Sequence, residues 1–348
     1  MFSSYKKEDV AILLKDISGL IKPQSTEERE YAIQHGTHYS EMLPLEYEPS
    51  PEYLNLYLHT LKTQKKKTAD AVGKVAKEIY KRHGKNVVLV SLARAGTPIG
   101  ILVKRYFDKN YQTNIPHYTI SIIRDKGIDH NAMRYILERY SKKDIQFIDG
   151  WVGKGTIQKQ LFEAMKNYEG VDSTVATLAD PGFVSPITGS REDFLIPSSC
   201  LNSTVSGLLS RTVLRSDLIG ENDFHGAVFY QSLMNVDRTY EFIDTIEKEF
   251  DFSDGDYEIA QSNKKLNDVT RIINDFDIKD INFVKPGIGE TTRVLLRRLP
   301  WKILVYSLDD QENLGHIYQL AKEKNVPVEL YRFETYKCCG IIRSIKDA

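Results

Sequence analysis

Three cysteines among 348 residues, Cys200 and the adjacent Cys338 and Cys339, are too few for a disulfide framework and show no metal-ligand spacing. Such usage fits a reducing compartment. No uninterrupted apolar run approaches the roughly 20 residues that cross a bilayer, and the opening MFSSYKKEDVAILLKDI has no long apolar core of a leader. A cytoplasmic location without membrane contact is expected. An excess of charge of one sign is missing too: the formal net charge is -1, so contact with nucleic acid would have to come from a local patch. Tandem repeats and low-complexity segments are absent. So is a Walker A loop, because GKGT at 153–156 lacks its long spacing and its closing Gly-Lys-Ser/Thr order, which argues against a nucleoside triphosphatase.

What is present is an ordinary globular composition, 41% hydrophobic and 27% charged, at a length that favours two domains over one. Residues 1–85 read as a helical N-terminal layer: DVAILLKDISGLI and TADAVGKVAKEIYKRHG carry amphipathic spacing on either side of EMLPLEYEPSPEY. Over 86–255 strand and helix patterns alternate: VVLVSL, TPIGILVKRYF, HYTISII, AMRYILERY, IQFID, IQKQLFEAM, STVATLA. Such alternation predicts an α/β fold with a parallel, doubly wound sheet whose ligands sit at the strands' carboxyl ends. The charged stretch Glu247–Lys265 predicts a boundary. A second, smaller α/β cycle follows over 265–348, with VTRIINDF, GETTRVLLRRL and LGHIYQLAKEK as helices and INFV, KILVYSL and PVELYRF as strands. Cys338 and Cys339 read as near-terminal strand residues.

Two strand-to-helix turns carry the chemistry. In IQFIDGWVGKGT, Asp149 ends a buried strand. Gly150, Gly153 and Gly155 then leave the backbone open to oxygens, Lys154 adds charge, and Thr156 opens a helix whose positive end faces an anion. In VVLVSLARAGTPIG, Ser91, Ala93, Arg94, Ala95 and Gly96 form a similar turn, where the Arg94 guanidinium suits a pair of phosphate oxygens. The charged SIIRDKGIDH between them, with Arg124, Asp125, Lys126 and Gly127, is a candidate lid. Farther on, Asp180, Ser198, Cys200, Asn202 and Ser203 offer polar atoms to an acceptor ring, and Cys200 with His225 leaves a cysteine hydrolase open as an alternative.

The order of the two turns resembles type I phosphoribosyltransferases. Over nearly its whole length the chain resembles the phosphoribosyltransferase-like family of bacterial tellurium-resistance and stress operons, also labelled cysteine protease StiP, through HYSEMLP, SLARAGTPIGIL, SIIRDKGID, FIDGWVGKG and LIPSSCLNSTVSGLLSRTV. The resemblance implies a type I phosphoribosyltransferase-like sheet and a magnesium-dependent transferase using PRPP and a nucleobase-like acceptor. Asp149, Arg94 and Arg124 would then be catalytic, and Asp149 would also contact Mg2+. Ser91, Ala93–Gly96, Asp149, Gly150 and Gly153–Thr156 would hold PRPP, and Asp180, Ser198 and Asn202 the acceptor. The C-terminal VKPGIGETTRVLLRRLPWKILVYS resembles the pelota/L7Ae-type RNA-binding domain, which implies contact with RNA or a ribosome through Gly287, Gly289, Glu290, Arg293 and Arg297. Lys264–Ala348 carries 15 Lys and Arg against 12 Asp and Glu, compatible with local RNA contact. The alternative to a transferase is a non-catalytic sensor of PRPP or a nucleotide that reports to RNA.

Overall fold

The computed structural model describes residues 2–253 and 267–344. Its centre is a six-stranded sheet in the order Ala11–Ile12, His117–Ile120, Val88–Leu92, Ile145–Ile148, Val175–Ala179, Ile187–Ser190, with every neighbouring pair parallel. The inner strands are buried on both faces, which is why they read as continuous apolar runs rather than alternating ones. Helices Gly96–Tyr111, His130–Leu137 and Thr156–Met165 connect the strands, as their patterns predict. The 33-residue helix Pro51–His83 begins at a Ser50 cap with Pro51 in its first turn and ends at Gly84. It buries Tyr57, Val72, Val75, Ala76 and Ile79 in the main core.

The helical N-terminal layer is corrected in one part. Asp9–Ile21 is not a helix: Ala11–Ile12 pairs with Tyr118–Thr119 at the sheet edge, and Lys15–Asp16 pairs with Gly226–Ala227. An open edge of backbone groups outcompetes a short helix of modest propensity. Only 254–266 of the segment around the expected boundary, together with 345–348 and Met1, lie outside the described residues.

The C-terminal part forms a second sheet in the order Val284–Pro286, Cys338–Ile342, Pro300–Val305, Val328–Leu330, mixed in direction, with helices Asp268–Asp275, Ile288–Arg297 and Gln311–Glu323. Cys338 and Cys339 lie on its second strand, as expected.

Beneath the first turn, the His117 Nδ1–H donates to the Asp9 carbonyl at 2.9 Å, so the neutral ring's Nε2 accepts from the Ser91 hydroxyl at 2.7 Å. A Cβ on Gly100 would lie 2.1 Å from Ser91 Oγ and 2.3 Å from His117 Nε2, so only glycine fits there. Burial lowers the His117 pKa to about 4. Because the unfolded ring titrates near 6.5, its contribution to stability is fully present above that pH and is lost as pH falls toward 4. The stability advantage of the native chain over His117→Gln should therefore shrink across that window in chemical denaturation. A difference independent of pH would refute the neutral, buried ring.

Candidate functional site: a cationic cavity at the domain seam

The strand Ile145–Ile148 delivers Asp149 to a cavity of about 270 Å³ walled by both sheets. From the first come Arg124, Asp149, Trp151, Gly153–Thr156, Thr177 and Arg211; from the second, Lys285, Glu290, Arg293 and Arg298. Gly155, at φ 81°, turns the chain into the helix that starts at Thr156. Six cations thus face two carboxylates, and their tethers differ. Arg293 donates to Glu290 at 3.0 Å, and Arg298 forks onto Glu30 at 2.7 and 2.9 Å. Arg124 donates to Asp125 and Asn282. Lys154 reaches across the seam to the Ile281 and Val284 carbonyls, and Arg211 donates to the Tyr39 and Met42 carbonyls. Lys285 has no hydrogen-bond or ion-pair partner for its ammonium among the described residues.

Crowding of like charge is visible in the ionisation. Burial, with Arg124 nearby, lowers Lys154. Burial lowers Lys285 to about 8, with Lys154, Arg124 and Arg298 adding to it and Glu290 opposing. Burial also lowers Arg211 to about 9, reinforced by Arg29 and Arg298. Asp149 is pushed up to about 6 by burial, against Arg293 and the Gly150 N–H that its Oδ1 accepts at 2.7 Å. Burial pushes Glu290 up as well, but Arg293, Lys285 and Trp151 outweigh it and hold it below the usual carboxylate range. Asp149, the acid expected to contact Mg2+, thus shares the cavity lining with six cations and one other carboxylate, Glu290.

Of the residues expected to hold PRPP, Asp149, Gly153, Lys154, Gly155 and Thr156 line the cavity, as does Arg124, expected to be catalytic. The first turn does not reach it. Ser91 is tied to His117, and Arg94 is buried, donating to the Leu209 carbonyl at 2.7 Å and pairing with Glu46. Ala95 and Gly96 pack on the second turn, where a Gly96 Cβ would meet the Ile148 carbonyl oxygen at 2.4 Å. Two turns expected to grip one ligand thus pack against each other. The expected lid is a short hairpin, Ile122–Ile123 with Gly127–Ile128, pinned by the Tyr39 hydroxyl and Gln160. The acceptor residues are elsewhere: Asp180 is buried with Arg191 and Ser185, Ser198 is buried, and Asn202 accepts from Arg297.

The RNA-facing residues also turn inward. Asp193 Oδ1 accepts the Ile288 N–H at 3.0 Å and its Oδ2 the Lys337 N–H at 2.8 Å. Gly289 sits against Trp151, leaving a Cβ only 2.2 Å from Cε2, and the Arg293 guanidinium lies 4.6 Å over the same ring. Gly287, Glu290 and Arg297 belong to the same docked segment. Sequence reasoning missed Arg211, Lys285 and Arg298 as site residues; the seam brings Lys285 and Arg298 to the cavity of Asp149, and the fold of the first domain brings Arg211.

A family model described as "Tellurite-like stress resistance cysteine protease StiP" matches residues 3–247, and one described as "PELOTA RNA binding domain" matches 263–344. A relative named "Cysteine protease StiP" from Acinetobacter baylyi (strain ATCC 33305 / BD413 / ADP1) is 32% identical over 367 residues, covering 98% of this chain and 94% of that protein. The chain belongs to the StiP family. Like the first match, the second is plain: the C-terminal part is a pelota RNA-binding domain. Among solved structures, a hypoxanthine-guanine phosphoribosyltransferase (hpt-2) from Bacillus anthracis str. 'Ames Ancestor' aligns with a TM-score of 0.27 and 14% identity, covering 36% of this chain and 76% of that one. A hypoxanthine-guanine-xanthine phosphoribosyltransferase aligns with a TM-score of 0.24 and 12% identity, covering 49% and 93%. Likenesses of that size support no functional conclusion. The expectation of a magnesium-dependent, PRPP-using phosphoribosyltransferase is thereby overturned as function and as enzyme class: the StiP family and the relative carry the name of a stress-resistance cysteine protease.

In this StiP-family chain all three cysteines are buried. The Cys200 thiol is pushed by burial up to about 12, against the effect of Thr60, while His225 Nδ1 lies 2.8 Å from the Ser121 hydroxyl. No thiol is hydrogen-bonded to a histidine among the described residues. No described helix is long and apolar enough to cross a membrane.

Asp193→Ala would strip two backbone N–H groups of their acceptor at the seam, at about 1–3 kcal/mol each. Its expected signature is a lowered midpoint of unfolding, read by calorimetry; an unchanged midpoint would show that Asp193 does not hold the domains together.

Proposed function

We propose that the seam cavity binds a phosphorylated small molecule, in a stress-resistance protein whose pelota domain contacts RNA. The observation that carries this reading is the convergence of Arg124, Lys154, Arg211 and Lys285, of which none is matched by a buried carboxylate. Bringing like charges together in a half-buried cavity is costly unless an anion joins them. Gly153, Gly155 and Thr156 supply the backbone N–H groups of a helix start at the same place. Asp149, beside them, is suited to accept from a ligand hydroxyl. A volume of about 270 Å³ suits a ligand of nucleotide size or less. The two family matches support a division into units on either side of residues 248–262. Two turns on neighbouring parallel strands support reading the scaffold, though not the activity, as type I phosphoribosyltransferase-like.

Titration calorimetry of AMP against adenosine tests the phosphate requirement. AMP should bind at least about tenfold more tightly, and Lys154→Ala should weaken it about tenfold, equivalent to about 1.4 kcal/mol. Equal affinity for the two, or no binding of either, refutes the reading.

The family's description favours a second reading, a cysteine hydrolase acting through Cys200. A thiol nucleophile needs access and a base. If Cys200 is the inert, buried residue that its surroundings suggest, Ellman's reagent should leave the native protein unmodified over minutes and titrate 3 thiols once it is denatured. Rapid modification of Cys200 in the native protein would favour the hydrolase.

A further inference from the structure

Five of the six cations in the seam cavity are fixed by hydrogen bonds to carboxylates, an amide or carbonyls. Lys285 is the sixth. It stands on the strand Val284–Pro286, at the seam, with its ammonium unpaired among the described residues. The charged groups that share its cavity are Glu290 and Arg293 on the helix Ile288–Arg297, Arg298 just beyond that helix, and Asp149, Lys154, Arg124 and Arg211 from the first domain, while the strand paired with its own carries the buried thiol of Cys339. An ammonium with no protein acceptor among the described residues, in a cavity that holds five other cations and two carboxylates, is poorly placed as a structural charge. It is well placed as a neutral amine.

From this geometry we infer that Lys285 is a nucleophilic amine that captures the aldehyde or ketone group of a phosphorylated ligand as an imine. The inference rests on the reading of the cavity as a phosphate site, since the other cations would hold the phosphate while Lys285 meets the carbonyl. The lone pair of the neutral Nζ attacks the carbonyl carbon, forming the C–N bond, and the C=O π pair moves to oxygen, which takes up a proton. Loss of the amine proton and protonation of the hydroxyl let it depart as water, leaving the iminium. Overall, an ammonium and a carbonyl give an iminium and one water, with no oxidant or reductant involved. Asp149 lines the same cavity, and burial raises its carboxyl to about 6, so it can donate a proton to the departing hydroxyl near neutral pH. Trp151, Val152 and Ile157 supply apolar wall, which slows the return of water to the iminium.

Pyridoxal 5′-phosphate is the probe, with pyridoxal as its unphosphorylated counterpart. Each is incubated with the full chain, reduced with borohydride and mapped by peptide mass spectrometry. One adduct is expected, at Lys285, formed at least about tenfold faster with the phosphorylated probe and slowed by AMP. Its rate should rise with pH through about 8, where the ammonium gives up its proton. Lys285→Arg, which keeps the charge and loses the nucleophile, should form no adduct there while its surface lysines are labelled as in the native chain. Labelling of Lys285 no faster than that of surface lysines overturns the inference. If AMP nonetheless binds by calorimetry, the phosphate reading survives its failure; if AMP binding is also absent, both fall.

Discussion

One buried carboxylate ties two backbone segments of the second domain to the first. Asp193 belongs to the first domain, yet both its oxygens accept N–H groups of the second, at the start of the helix Ile288–Arg297 and just before the strand Cys338–Ile342. A carboxylate bridging two backbone segments fixes rotation as well as distance. With the second sheet held in that orientation, Gly289 meets Trp151 at a separation no side chain would allow, and Lys154 reaches the Ile281 and Val284 carbonyls. Burial raises Asp193 to about 6, so the contact is strained in its charged form and relies on those N–H donors.

Around this clasp the charges are distributed unevenly. Elsewhere in the chain Arg105 is matched by Asp9, Asp244 and Glu247, and Arg94 by Glu46, while Arg29 donates to the Arg297 carbonyl. In the cavity three cations lack such a match among the described residues. Arg211 and Lys154 lean on carbonyl oxygens, which offer partial charge only, and Lys285 leans on nothing within the described residues. A folded chain tolerates such an arrangement where binding, rather than stability, has shaped the local sequence.

Much of the fold was legible in the sequence because parallel strands buried on both faces leave unbroken apolar runs, and VVLVSL, IQFID and STVATLA are such runs. Asp9–Ile21 was misread because its apolar spacing suits a helix, whereas its structure is decided by strand edges more than 100 residues away in the chain. The second turn could be read locally, since a glycine-rich helix entry after a buried strand has few alternatives. The role of the first could not: nothing within SLARAG reveals that Glu46 and the Leu209 carbonyl occupy the Arg94 guanidinium. Lys285 and Arg211 left no signal, because their meaning lies in which residues they come to face. The pelota resemblance identified the second domain correctly but could not show that its glycine turn is docked on Trp151.

The reach of Lys154 across the seam has a thermodynamic corollary. The cavity is a property of the docked pair, absent from either unit taken alone. For any site shared in this way, the free energy of docking and the affinity for the occupant are linked quantities, and a change in one appears in the other by the same factor. The face of the pelota domain that carries Gly289 and Arg293 is covered in that same docked arrangement, so its accessibility belongs to the same equilibrium.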